Sequence, residues 1–288
     1  MRSYLDCIPC FFNQALRAGR MANLPDEEII EILYRLGDNL RSIKLSDSPP
    51  KTGKFVYSLV NEISDIDDPY KDVKKQQNET AMSLLPELLE YVNSSKNKLD
   101  AALRVSSIGN IIDLGAPNIG VNLEEFLHRS LNIEHKLWDF EKFSEKIESA
   151  KSLLILGDNA GEIVFDKVLL KTIKEIFTEI EITYAVRDAP VINDATAEDA
   201  ISVGIDEFAR ILSTGSDAPG ILMDEVSKKF KFEFEKSDII ISKGQGNYET
   251  LDDVSRDIFF VLTVKCDVVS RHLNLPIGAS VLYYKNSR

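Results

Sequence analysis

Cysteine, histidine and tryptophan are scarce: three, three and one among 288 residues. Three thiols cannot staple a chain of this size, so no disulfide framework is expected and a reducing cytoplasm is the natural setting. Long apolar runs are missing as well. The longest, Ile258 to Val264, falls far short of the ~20 residues that span a bilayer. Met1 to Asp6 contains no apolar segment of the kind a secretion signal needs. Basic residues are outnumbered, with 34 Lys and Arg against 47 Asp and Glu and a net charge of −13. A surface that acidic repels nucleic-acid phosphates and anionic lipid, so neither is an expected partner. The 44% of apolar residues is enough for a buried core, and excludes a disordered chain. At this length one large domain or two unequal ones are expected.

Residues 1 to 150 read as helix and are expected to form a helical domain that contributes to the site. Cys7, Cys10, Phe11, Gln14, Ala15 and Ala18 recur at steps of three and four. Pro25-Asp26-Glu27-Glu28 is a helix start, with acids in the first turn ahead of Ile29, Ile32, Leu33 and Leu36. Ser48-Pro49-Pro50 and Asp67-Asp68-Pro69 are breaks, and Pro86 implies a kink or two helices in the stretch that ends near Val92.

From residue 151 the pattern reverses. Six short apolar runs, Leu153–Leu156, Ile182–Val186, Phe208–Leu212, Ile239–Ile241, Ile258–Leu262 and Val281–Tyr284, alternate with helical stretches. Strands of that kind belong to a mostly parallel sheet covered on both faces. Residues 151–288 are therefore expected to be an α/β domain, a three-layer Rossmann-like arrangement with the helical part packed against it.

Ligands of such sheets bind beyond the carboxyl ends of the strands. The first run is followed by Gly157-Asp158-Asn159-Ala160-Gly161-Glu162, and the second by Arg187 through Thr196, including Asn193 and Asp194. The third leads into Ser213 through Gly220, including Asp217; the fourth into Lys243-Gly244-Gln245-Gly246-Asn247; the fifth into Lys265. Asp158, Asn159 and Asp194 are hard oxygen donors of the sort a magnesium- or manganese-type ion takes alongside waters. Lys243 and Lys265 would set positive charge beside that ion, and Gly244 and Gly246 would let backbone N–H groups approach an anion. Together these are equipment for holding and cleaving a phosphate ester. Taken singly, each has a plain alternative: Asp158 or Asp194 as a helix N-cap, a lone lysine in solvent, a Gly-x-Gly that is no dinucleotide fingerprint. Cys7-x-x-Cys10 would place two thiols on one helix face, which leaves burial, a redox role and a metal role open.

Read in order, these segments resemble the damage-control phosphatase family, and within it the short archaeal and bacterial branch with an N-terminal Cys-x-x-Cys. The resemblance rests on Cys7–Cys10, Asp68-Pro69-Tyr70, Gly109-Asn110-Ile111-Ile112-Asp113, Gly157–Glu162, Ile192–Thr196, Gly215–Gly220, Lys243–Asn247 and Thr263-Val264-Lys265. It implies a helical N-terminal part on a three-layer α/β/α core. It also implies a divalent ion, manganese, nickel, cobalt or magnesium, on Asp158, Asn159 and Asp194. Substrate-binding roles would fall on Lys243, Asn247 and Lys265, and on Asn110 and Asp113 from the helical half. Arg187 and Asn193 join the substrate- and phosphate-binding candidates. Where larger eukaryotic relatives carry an arginine before Thr-x-Lys this chain has Leu262, so their substrate preferences do not transfer.

The expected reaction is hydrolysis of a small phosphorylated metabolite. The nucleophile is either water activated by the ion or the Asp158 carboxylate, with Glu162 and Asp217 as acid/base candidates. A haloacid-dehalogenase phosphatase would need Asp-x-Asp where this chain has Asp158-Asn159-Ala160. An S-adenosylmethionine-dependent methyltransferase would want a glycine-rich first loop, and a sensor that binds metal and phospho-ligand without turnover is the other alternative.

Overall fold

The computed structural model describes residues 1–109, 131 and 135–287. Its first part is helical. Helix α1 (Cys7–Met21) packs with α2 (Asp26–Asp38) and α3 (Pro49–Ser64) around Phe11, Ala15, Ile32, Leu36, Val56 and Val60. Three acids open α2 and two prolines open α3, where a missing N–H costs nothing. Helix α4 (Lys71–Ser94) runs unbroken through Pro86, so that proline makes neither a second helix nor an end. Helices α5 (Lys98–Ser107) and α6 (Phe140–Ile147) follow, α5 capped by Asn97 Oδ1 accepting from the Asp100 N–H at 3.1 Å.

The sheet then forms from β1 (Ser152–Leu156), β2 (Glu181–Val186), β3 (Arg210–Ser213), β4 (Ile239–Lys243), β5 (Ile258–Thr263) and β6 (Ser280–Lys285). Between them lie α7 (Glu162–Ile176), α8 (Ala197–Ser202), α9 (Lys228–Lys236), α10 (Gln245–Leu251) and α11 (Asp267–Leu273). Phe208, expected in the third strand, is instead held by a 3-10 turn, its N–H donating to the Ile205 carbonyl at 3.1 Å.

Strand order is β3-β2-β1-β4-β5-β6, with β6 antiparallel to β5 and the other pairs parallel. Both faces are covered, which the alternation along each strand shows directly. Leu153 and Ile155 of β1, Ile239 and Ile241 of β4 and Phe259 of β5 enter one core with α4, α5 and α7. Leu154, Leu156, Ile240 and Phe260 enter a second core with Phe230 and Phe234 of α9 and Leu251 of α10. The first core crosses residue 150, because Leu84 and Leu88 of α4 and Leu103 of α5 belong to it. No helix among the described residues is long and apolar enough to cross a membrane.

This order has a topological consequence. The chain builds outward from β1 through β2 to β3, then returns to lay β4 on the other side of β1. Loops after β1 and β4 therefore part from each other at the carboxyl edge, and a crevice opens between them.

Candidate active site

The loops after β1 and β2 are sewn together by their backbones. The Ala195 N–H donates to the Asp158 carbonyl and the Ala160 N–H to the Asn193 carbonyl, both at 2.8 Å. Asn159 and Asp194 form an isolated antiparallel bridge, and Arg187 and Thr196 a parallel one. The sheet is thus extended past its edge by single residues, and this brings Asp158, Asn159 and Asp194 side by side. All three are buried.

Their side chains converge. Asn159 Nδ2 donates to Asp158 Oδ2 at 3.3 Å. The Arg187 guanidinium, also buried, gives its Nε to Asp194 Oδ2 at 2.6 Å and lies 3.8 Å from Asp158 Oδ1. Its other contact is Asn247 Oδ1 at 3.0 Å, and Asn247 Nδ2 in turn reaches the carbonyls of Gly157 and Lys243. Among the described residues the Arg187 guanidinium faces both carboxylates, so Arg187, the expected phosphate binder, is paired with these acids here.

Gly244 closes the crevice from the β4 side. It sits at φ 79°, in the left-handed region, and a Cβ there would lie 2.0 Å from Asp158 Oδ2. Gly244→Ala is therefore expected to displace the Asp158 carboxylate and to lower kcat by about a hundredfold. A kinetic comparison with wild type checks this, and an alanine variant with unaltered kcat would show that Asp158 tolerates the shift.

Lys243 is where the sequence expectation fails. Its ammonium does not face the crevice. It is fully buried, 2.5 Å from Asp166 Oδ1, 2.8 Å from Glu162 Oε1 and 2.9 Å from the Ser106 carbonyl. The reason is strand alternation: Ile239, Ile241 and Lys243 share the face covered by α5 and α7. An ammonium there needs counter-charges, and α7 supplies two, one turn apart. Ser106 Oγ and Tyr184 Oη complete the shell of Asp166, each donating at 2.6 Å. Burial works to lower the Lys243 pKa, but Asp166 and Glu162 outweigh it and hold it up at about 12.

Glu162 has the opposite problem. Burial pushes its carboxyl up to about 7, Lys243 opposes the rise, and Asp158 and Asp166 add to it. Its Oε1 lies 2.8 Å from the Lys243 ammonium, and its Oε2 has no hydrogen-bond partner among the described residues. Asp217, the other acid/base candidate, is half exposed at the edge of the crevice and paired with Lys54 of α3 at 2.7 Å. Asn193 is buried and donates from Nδ2 to Gln77 Oε1 at 3.3 Å. Lys265 is exposed at the end of β5, its N–H donating to Gln245 Oε1 at 2.9 Å. Asn110 and Asp113 lie outside the described residues.

The two thiols of Cys7-x-x-Cys10 do not share an environment. Cys7 is buried, which pushes its thiol up, whereas Cys10 is exposed and accepts from Gln14 Nε2 at 3.2 Å. Sequence reasoning missed Ser106 and Asp166. The available signal was Asp166 standing one turn after Glu162 on a helix whose neighbours Ile163, Val164 and Phe165 are all core.

Among the described residues, no group of three or more His, Cys, Asp or Glu side chains is placed to hold a metal ion. Asp158, Asn159 and Asp194 make a different kind of set: two carboxylates and one amide, hard oxygens that would rely on water and substrate for further ligands. Buried hard-oxygen donors of this chemistry fit a small divalent cation.

A doubly wound α/β sheet with a buried acidic centre at its topological switch point defines a class of small-molecule-binding enzyme folds. The comparisons narrow that class. Residues 3–281 match the Damage-control phosphatase ARMT1-like domain, and the chain belongs to this family. It is 32% identical over 286 residues to damage-control phosphatase PH1575 of Pyrococcus horikoshii, covering 98% of this chain and 97% of that protein. A damage-control phosphatase of Archaeoglobus fulgidus is 38% identical over 285 residues, covering 96% of both. The crystal structure of the Pyrococcus horikoshii protein, described as a DUF89 family protein, superposes with a TM-score of 0.91 over 100% of both chains.

Proposed function

We propose that this protein is a divalent-metal-dependent phosphatase that hydrolyses small phosphorylated metabolites, sugar phosphates or damaged phospho-metabolites among them. One observation carries the reading: two buried carboxylates and an amide, laced across the adjacent loops after β1 and β2, with the Arg187 guanidinium between the carboxylates. Asp158, Asn159 and Asp194 would hold manganese, nickel, cobalt or magnesium. Such an ion, when bound, neutralises phosphoryl oxygens and makes a water molecule more acidic.

The chain's own groups do the rest. Arg187 keeps the two carboxylates from repelling each other apart, and Asn247 fixes the guanidinium in turn. Lys265, exposed on the rim, supplies positive charge for the phosphate group. Glu162 suits proton transfer better than Asp217, because its carboxyl changes protonation near neutral pH while Asp217 is an exposed partner of Lys54.

The test is a screen of metal-stripped protein, with manganese, nickel, cobalt or magnesium added back, against sugar phosphates and p-nitrophenyl phosphate. Phosphate release that appears only with an added ion is the expected result. Tight metal binding with no turnover in any combination would instead identify a binding protein.

A further inference from the structure

Helix α4 carries an apolar stripe of Ala81, Leu84, Leu88 and Val92 into the main core. One turn before Ala81 that same face changes character. Lys74, Gln77 and Asn78 occupy the positions seven, four and three residues earlier, and Lys74 and Asn78 are buried although both are polar. Asn78 and Gln77 reach the two acid-bearing loops, and Lys74 reaches the helix that follows the second. Asn78 Oδ1 accepts from the Gly161 N–H at 2.6 Å, two residues after Asn159. Gln77 Oε1 accepts from Asn193 Nδ2 at 3.3 Å, next to Asp194. Lys74 Nζ lies 2.9 Å from Asp199 Oδ2 and 2.8 Å from Asp68 Oδ2.

Asp199 is not an ordinary partner. Its Oδ2 also accepts from the Thr196 N–H at 2.9 Å and from Thr196 Oγ1 at 2.8 Å, and so fixes the turn that leaves Asp194 for α8. Gly161 is equally constrained. It sits at φ 77° as the residue that opens α7, and its buried N–H points at Asn78. A single rigid helix face therefore holds the loop after β1 at one end and the loop after β2 at the other.

We propose that α4 is the positioning element of the site: Asn78 and Lys74, neither touching the reacting atoms, set the spacing between the Asp158–Asn159 loop and the Asp194 loop that a metal ion requires. This inference rests on the metal reading above. Neither is bonded to a ligand itself: Asn78 holds the backbone two residues after Asn159 and Lys74 holds Asp199, five residues after Asp194, so both act through the backbone, on affinity for the ion rather than on chemistry.

The experiment is a titration of Mn2+ into metal-free protein, followed through the electron paramagnetic resonance signal of the free ion, with no turnover involved. Asn78→Ala and Lys74→Met are each expected to weaken Mn2+ binding by about tenfold or more. Asn78→Asp, which keeps an acceptor for the Gly161 N–H, is expected to stay within about threefold of wild type, and exposed Glu79→Gln to leave binding unaltered. Circular dichroism melts establish that each variant is folded, and if Asn78→Ala is not, Lys74→Met and Asn78→Asp carry the test. Folded Asn78→Ala and Lys74→Met proteins that bind Mn2+ as tightly as wild type would overturn the positioning role alone. Wild-type protein that binds no Mn2+ would remove manganese from the metal reading and overturn this inference with it.

Discussion

Asp158→Ala is expected to lower kcat for phosphate-ester hydrolysis by about a thousandfold or more and to leave the fold intact. The two halves of that expectation have separate causes. Activity falls because Asp158 supplies a carboxylate to the acidic centre that the loops after β1 and β2 form. The fold survives because Arg187 keeps its 2.6 Å bond to Asp194 and its 3.0 Å bond to Asn247 when Asp158 is gone. Asp194→Ala is the contrasting case, since it strips the Arg187 Nε of its partner in a site where that guanidinium is nearly inaccessible. Steady-state kinetics with added manganese and a thermal melt of each variant check both halves. An Asp158→Ala protein with wild-type turnover would remove this residue from the mechanism.

Lys243→Met produces the largest loss of stability, about 3–5 kcal/mol, the range for removing one partner of a buried charge pair. Two carboxylates, Glu162 and Asp166, would then face each other without their cation. The effect has a pH signature whose sign is fixed. Glu162 is pushed up to about 7 in the folded protein, so between the ordinary glutamate range and pH 7 the folded state holds a proton that the unfolded state has released. Stability from that group falls as pH rises through this window and levels off above about pH 7. Lys243 opposes the rise, so without it the decline extends to higher pH. Denaturant melts at pH 6, 7, 8 and 9 distinguish the two proteins: wild type levels off and the variant keeps declining. Adding Glu162→Gln to Lys243→Met would restore part of the loss at pH 8 and flatten the profile. A variant as stable as wild type at every pH would show the ion pair to be dispensable.

The contrast between these residues marks how far sequence reasoning reaches. Runs such as Leu153–Leu156 and Ile239–Ile241 are legible as strands because a sheet covered on both faces needs apolar side chains at successive positions. Neighbouring parallel strands then oblige the loops after β1 and β2 to meet, which is why Asp158, Asn159 and Asp194 were read as one group. The facing of Lys243 was not legible. It is the last residue of its strand, and one step of register decides between the crevice and the core. Its counter-charge Asp166 sits inside a helix, where nothing local separates a buried carboxylate from an exposed one. Arg187 looked like an anion binder because the acid it serves, Asp194, is seven residues further along a loop that has to fold back first. The polar face of α4 was equally hidden. Lys74 and Asn78 look like ordinary surface residues of a long helix until the two loops are laid against it.

X-ray diffraction from crystals soaked in manganese, recorded to give an anomalous difference map, locates the ion. One strong peak is expected, bounded by the side-chain oxygens of Asp158, Asn159 and Asp194 at about 2.0–2.6 Å from each. A manganese peak elsewhere on the molecule, with none at those three side chains, would remove the metal centre from this site.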